Sequence, residues 1–155
     1  MKTSLRACLL APLLLLAASA SFAVDSSPPA NDKLNAARAR IAEKNWPAAV
    51  EELKKVNDPA SADWNNLMGY SLRKQGSDHY AEAEGFYDTA LRIDPKHRGA
   101  LEYSGQLYLM TGNLPKAEER LATLDKVCFL PCEEHSDLKK AIARYKANGN
   151  KYVAE

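Results

Sequence analysis

The chain has 155 residues, of which 46% are hydrophobic and 26% charged, the composition of one ordinary globular domain. Its 7 glycines and 8 prolines exclude a collagenous or low-complexity chain. A formal net charge of +1 lacks the basic excess expected of a nucleic-acid binder, so no nucleic-acid partner is expected.

The first segment reads as a targeting sequence. Lys2 and Arg6 form a short positive leader, Ala7 to Ala18 form an apolar run, and Ser21-Phe22-Ala23 supplies small residues for cleavage. Cleavage after Ala23 is expected, with Ala18-Ser19-Ala20 as a competing site. The apolar run is shorter than the ~20 residues of a spanning helix, so no stable membrane insertion of the mature chain is expected. Loss of residues 1–23 takes Lys2, Arg6 and Cys8 with it. The 21 basic residues become 19 against 20 acids, and the net charge becomes −1. Cys128 and Cys132 then remain as the mature cysteines, and an even number in an exported chain favours a disulfide. Residues 24–32 are polar and Pro-rich and read as a flexible tail.

Beyond the tail the sequence repeats with a period of 34 residues. Trp46, Tyr80 and Leu114 form one column, and Ala49, Ala83 and Ala117 a second. Leu53, Tyr87 and Leu121, then Val56, Ala90 and Leu124, complete the set. Within each unit these positions lie three or four apart, on one face of a helix. A second helix precedes each of these, marked by Leu34, Ala37 and Ile41, by Leu67, Met68 and Leu72, and by Leu101, Ser104, Leu107 and Tyr108. Gly76 and Gly112 suit the turns between partners. Asn45 and Asn113 are expected to cap the next helix, with Pro47 and Pro115 in its first turn. Asp58-Pro59 and Asp94-Pro95 end one unit and open the next.

These columns resemble the tetratricopeptide repeat family. Gly69, Leu72, Gly76, Ala83, Tyr87, Ala90 and Pro95 fit its pattern in the second unit, and Gly105, Tyr108, Gly112, Ala117 and Leu121 in the third. The first unit departs, with Ala37 at a usual Gly and Arg40 at a usual aromatic. The resemblance implies an all-α, right-handed solenoid of three helix pairs over residues 33–127. Residues 128–149 would add a turn and a capping helix, for seven helices in all. In that cap, Leu138, Ala141, Ile142 and Tyr145 share one apolar face, with Lys139, Lys140, Arg144 and Lys146 facing away. Its expected start is Ser136-Asp137 and its expected end Asn148-Gly149.

Catalysis has little support, and no enzyme and no cofactor are expected. No phosphate loop, nucleophile elbow or His-x-x-x-His pair is present. His79 and His97 read as solvent-exposed loop residues. The resemblance instead implies a binding module for a protein or peptide, with a concave surface lined by the first helix of each pair. The inward candidates there are Leu34, Arg38 and Ile41, then Asn66, Tyr70, Arg73 and Lys74, then Glu102, Gln106 and Leu109. Arg73 and Lys74 favour an acidic group, and Tyr70 suits stacking on an extended peptide. Removing Arg73 or Tyr70 should then weaken binding without loss of stability. The family's carboxylate-clamp set is not matched, because Leu34, Leu67 and Gly99 stand in several of its places.

Cys128-Phe129-Leu130-Pro131-Cys132 admits two readings. A bent backbone brings the Cα atoms within disulfide range, pinning the cap. Alternatively, Cys128, Cys132 and His135 form a soft site for copper or zinc, or a thiol-exchange pair, and the spacing resembles that of exported copper chaperones. The leading expectation is a periplasmic, non-catalytic scaffold.

Overall fold

A computed structural model describes residues 32–130 and 132–153. The expected signal peptide and residues 24–31 of the expected tail lie outside the described residues. Asp32, the last residue of that tail, is tied in: its carboxylate accepts from the Leu34 amide at 2.9 Å and pairs with Arg38 at 3.4 Å.

Among the described residues there are seven α-helices and no strand. They are α1 (Asn35–Ala42), α2 (Trp46–Val56), α3 (Ala62–Gln75), α4 (Tyr80–Ile93), α5 (Arg98–Met110), α6 (Leu114–Val127) and α7 (Glu133–Ala147). The second helices α2, α4 and α6 begin on Trp46, Tyr80 and Leu114, the first column of the repeat. Pairs α1–α2, α3–α4 and α5–α6 pack together, and α2–α3, α4–α5 and α6–α7 join one unit to the next. Helices α3, α5 and α7 also touch in succession, so they form one layer.

Ala49, Ala83 and Ala117 are fully buried, because a small residue there lets two helices approach closely. Glycines permit closer approaches still, at Gly105 against Leu138 and at Gly69 against Tyr87. A Cβ would lie 2.6 Å from the Leu138 side chain at Gly105 and 2.8 Å from the Tyr87 ring at Gly69. Buried side chains form two clusters, one centred on α1–α4 and one on α5–α7. Trp64 locks the first pair to the second, its indole N–H donating to the Leu53 carbonyl at 2.7 Å and its ring meeting Phe86 edge-on.

The turn chemistry follows the sequence. Asn45 and Asn113 accept from the amides of Ala48 and Lys116, with Pro47 and Pro115 in the first turn. Gly76 and Gly112 take φ of +123° and +79°, where a Cβ would be strained. The turn between α3 and α4 contains a 3-10 turn over Ser77–His79.

Two expectations are corrected. His97 is not a solvent-exposed loop residue. Its Nδ1 accepts from the Ala100 amide and its Nε2 lies 3.0 Å from Asp63, so it caps α5 and ties it to α3. Helix α7 starts at Glu133, three residues before Ser136, because Glu133 and Glu134 favour the positive end of a helix dipole. Its end at Ala147, followed by Asn148 and Gly149, is as expected.

Candidate functional site

Helices α3, α5 and α7 lie side by side, and their facing side chains enclose a polar cleft of about 380 Å³. Helix α3 contributes Tyr70, Arg73 and Lys74, and α5 contributes Glu102, Tyr103 and Gln106. Asp137, Lys140 and Arg144 come from α7. Spacings of three or four residues along each helix put every set on one face.

Arg73 organises the floor. It is only 4% exposed, yet it carries a charge, which requires partners. One guanidinium N–H donates to Gln106 Oε1 at 3.1 Å, and the plane lies over the rings of Tyr70 and Tyr103 at 5.4 and 5.6 Å. Gln106 passes the polarity on, its amide donating to Glu102 Oε1 at 2.8 Å. The Tyr70 and Tyr103 rings sit 4.6 Å apart, and Trp46 meets Tyr70 edge-on, with the Lys74 ammonium over the Trp46 ring. Beneath, the buried Tyr87 hydroxyl lies against the Arg73 guanidinium and favours its charge.

Burial, and next the carboxylate of Asp137, push the Glu102 carboxyl up to about 7, against the pull of Arg73. Burial and the Glu102 charge push Tyr103 up to about 12. Among the described residues of the lining, four are basic and two acidic, around an aromatic floor.

The cleft brings together Tyr70, Arg73, Lys74, Glu102 and Gln106 from the sequence-derived set. The other candidates fall elsewhere. Leu34 and Leu109 are 3% and 1% exposed and belong to the core, so their apolar side chains are structural. Arg38 pairs with Asp32 and Asp63, and Ile41 packs on the first cluster. Asn66 is buried beside Gly99 at the start of α5, outside the cleft lining. Tyr103, Asp137, Lys140 and Arg144 were missed. Lys140 and Arg144 read as an outward face because amphipathicity separates buried from exposed, and the rim of a cleft counts as exposed.

Arg73 itself corrects an expectation. A nearly buried guanidinium stacked on two rings cannot be removed without loss of stability.

Cys128 and Cys132 are joined in a disulfide with Cα atoms 5.9 Å apart. In this form the sulfurs bind each other and offer no thiolate to a metal. His135 turns to Asp125 at 3.6 Å, and the disulfide loop presents Phe129 and Leu130 to solvent. No group of metal-holding side chains occurs among the described residues. No helix among them is long and apolar enough to cross a membrane.

Residues 75–127, from the end of α3 through α6, match the tetratricopeptide repeat family. No curated protein matches the chain. Antiparallel helix pairs at a 34-residue period agree with that match and support a tetratricopeptide repeat protein.

Proposed function

We propose that the chain is an exported, periplasmic, non-catalytic scaffold that holds a segment of a protein partner in the cleft between α3, α5 and α7. Tetratricopeptide repeats mediate protein–protein interaction, so a protein partner is the general expectation. One observation carries the choice of surface: a rigid floor of Tyr70, Tyr103 and buried Arg73, rimmed by exposed cations from two helices. Rigid aromatic anchors with a polar rim suit an extended peptide, because little conformational entropy is lost on binding. The leader pattern in residues 1–23 and the Cys128–Cys132 bond support an oxidising compartment.

A photo-crosslinking amino acid at Lys140, on the cleft rim, tests this in the native cell envelope. Crosslinks to a protein from Lys140, and none from Lys54 on the exposed side of α2, are expected. Equal crosslinking from both positions would move the interaction off the cleft, and recovery of the mature chain from the cytoplasm would overturn the export.

A further inference from the structure

The turn from α6 into α7 carries chemistry that the cleft does not use. Cys128 closes α6, Cys132 opens α7, and their bond ties off a loop whose Phe129 and Leu130 are 99% and 72% exposed. Two adjacent large apolar side chains held out in water mark a contact surface. Open grooves of about 570 and 360 Å³ flank this tip. Cys128 lines both, and Cys132 lines the larger one beside Lys96 and Arg98 from the start of α5. Both cysteines are only partly buried, so the bond is open to attack from solvent.

The two sulfurs are not equivalent. Cys128 stands at the C-terminal, negative pole of α6, its amide still bonded to the Leu124 carbonyl. Cys132 stands at the N-terminal, positive pole of the 15-residue α7. Negative charge is therefore better placed on Cys132 Sγ than on Cys128 Sγ. Glu133 and Glu134 act against this, but Arg98 is paired to Glu134 at 3.7 Å and Lys96 faces the same groove. In thiol–disulfide exchange the sulfur that bears charge better is the one that leaves, so attack falls on its partner. Here that partner is Cys128, the sulfur that borders both grooves. Access and charge select the same direction of cleavage. The fold also has other means of holding α7. Leu138, Ala141, Ile142 and Tyr145 pack it onto α5 and α6, and Leu138 fills the space over Gly105.

We propose that Cys128–Cys132 is a redox-active disulfide that oxidises a dithiol of a partner protein, and that an apolar surface around that dithiol docks on Phe129 and Leu130. A thiolate of the dithiol attacks Cys128 Sγ and forms a mixed disulfide with it. The Cys128–Cys132 bond breaks, its electron pair leaves on Cys132 Sγ, and that sulfur takes up a proton from water. The second thiol of the dithiol then gives up its proton and attacks its neighbouring sulfur in the mixed disulfide. Cys128 leaves with the electron pair and takes that proton. The partner has lost two electrons and formed a disulfide, and Cys128 and Cys132 have become two thiols. The reaction is independent of the cleft between α3, α5 and α7, so either reading can fail without the other.

The test takes the full mature chain, oxidised, at pH 7, with three probes: dithiothreitol, a reduced Cys-Gly-Gly-Cys peptide flanked by tryptophans, and the same peptide flanked by serines. Rates are read by acid quench, alkylation and mass spectrometry. Dithiothreitol should reduce the chain about threefold or more faster than it reduces the oxidised peptide of residues 128–132, which has the loop without the helix poles. The tryptophan-flanked dithiol should react about tenfold faster than the serine-flanked one. The double variant Phe129→Ser, Leu130→Ser should lose that preference while its rate with dithiothreitol stays within about twofold of the parent. A single-cysteine form of the tryptophan peptide should be trapped on Cys128, with Cys132 alkylated. The reduced chain should keep its helical circular dichroism and regain the bond with oxidised glutathione. Reduction slower than that of the loop peptide, or loss of helical structure on reduction, would overturn the redox role and leave a structural bond. Trapping on Cys132 would overturn the direction of cleavage, and equal rates for the two dithiol peptides would overturn the docking. Crosslinking from Lys140 in the oxidised double variant should persist, and its loss would overturn the independence of the two sites.

Discussion

At the scale of single residues, the molecule depends on charges taken out of water. Arg73 is buried against two tyrosines and holds Gln106 in place, so its loss leaves a cavity and an unpaired amide. Arg73→Ala should lower stability by about 2 kcal/mol, read from the urea midpoint, since hydrogen bonds to a charged group are among the stronger ones. A conservative Arg73→Lys should recover only part, because an ammonium cannot reproduce a planar stack. Glu102 makes stability depend on pH. Unfolded, its carboxyl releases the proton near the ordinary 4.5, and folded near 7. Between these values the native state holds a proton that the unfolded state has lost, so stability falls as pH rises through 7. Glu102→Gln should be more stable than the parent at pH 8 and equal to it near pH 4, in urea melts at both values.

At the scale of elements, close helix approach decides what each position tolerates. Ala83 is fully buried at the contact between α3 and α4, so Ala83→Leu should overpack the pair and cost about 1–3 kcal/mol. Gly69 faces the Tyr87 ring and the Ala83 carbonyl across the same contact. Gly69→Ala gains about 1 kcal/mol of helix propensity, but the ring must move to admit the methyl group. A net loss of stability is expected. Both variants are checked by urea melts followed at 222 nm, and an Ala83→Leu protein as stable as the parent would contradict the packing.

At the scale of the whole molecule, the last unit is held by α7, and α7 is held by packing and by one covalent link. Leu138, Ala141, Ile142 and Tyr145 bury against α5 and α6, while the disulfide closes the turn that leads into the helix. So short a closed loop stabilises by about 2 kcal/mol in the chain-entropy account. Cys128→Ser should therefore lower stability by about that amount and raise amide exchange first in α7. Because α7 supplies one wall of the cleft, the same variant should also weaken peptide binding. Thiol counting on the denatured, unreduced mature protein should give near zero. Two titratable thiols with stoichiometric copper or zinc would replace the structural reading with the metal one.

Much of this architecture was written in the linear chain. A 34-residue period, caps at Asn45 and Asn113, and glycines at 76 and 112 are local features, because helix phase and turn geometry depend on neighbours a few residues away. They sufficed for the helix pairs, for the close contacts at Ala49, Ala83 and Ala117, and for the apolar face of the cap. Tyr70, Arg73, Lys74, Glu102 and Gln106 were legible as inward positions through the resemblance to the repeat family. The sequence alone did not determine what those side chains do once the helices meet. Arg73 became a buried strut because Tyr103 closes over it from the next pair, a contact that the period cannot specify. Lys140 and Arg144 became cleft residues because α7 lies against α5, and helical periodicity does not distinguish a rim from open solvent. His97 became a tie between units because Asp63, 34 residues away, lies beside its Nε2 in space. Each of these depends on contacts between units, where the distance in space, and no longer the spacing in sequence, sets charge, burial and chemistry.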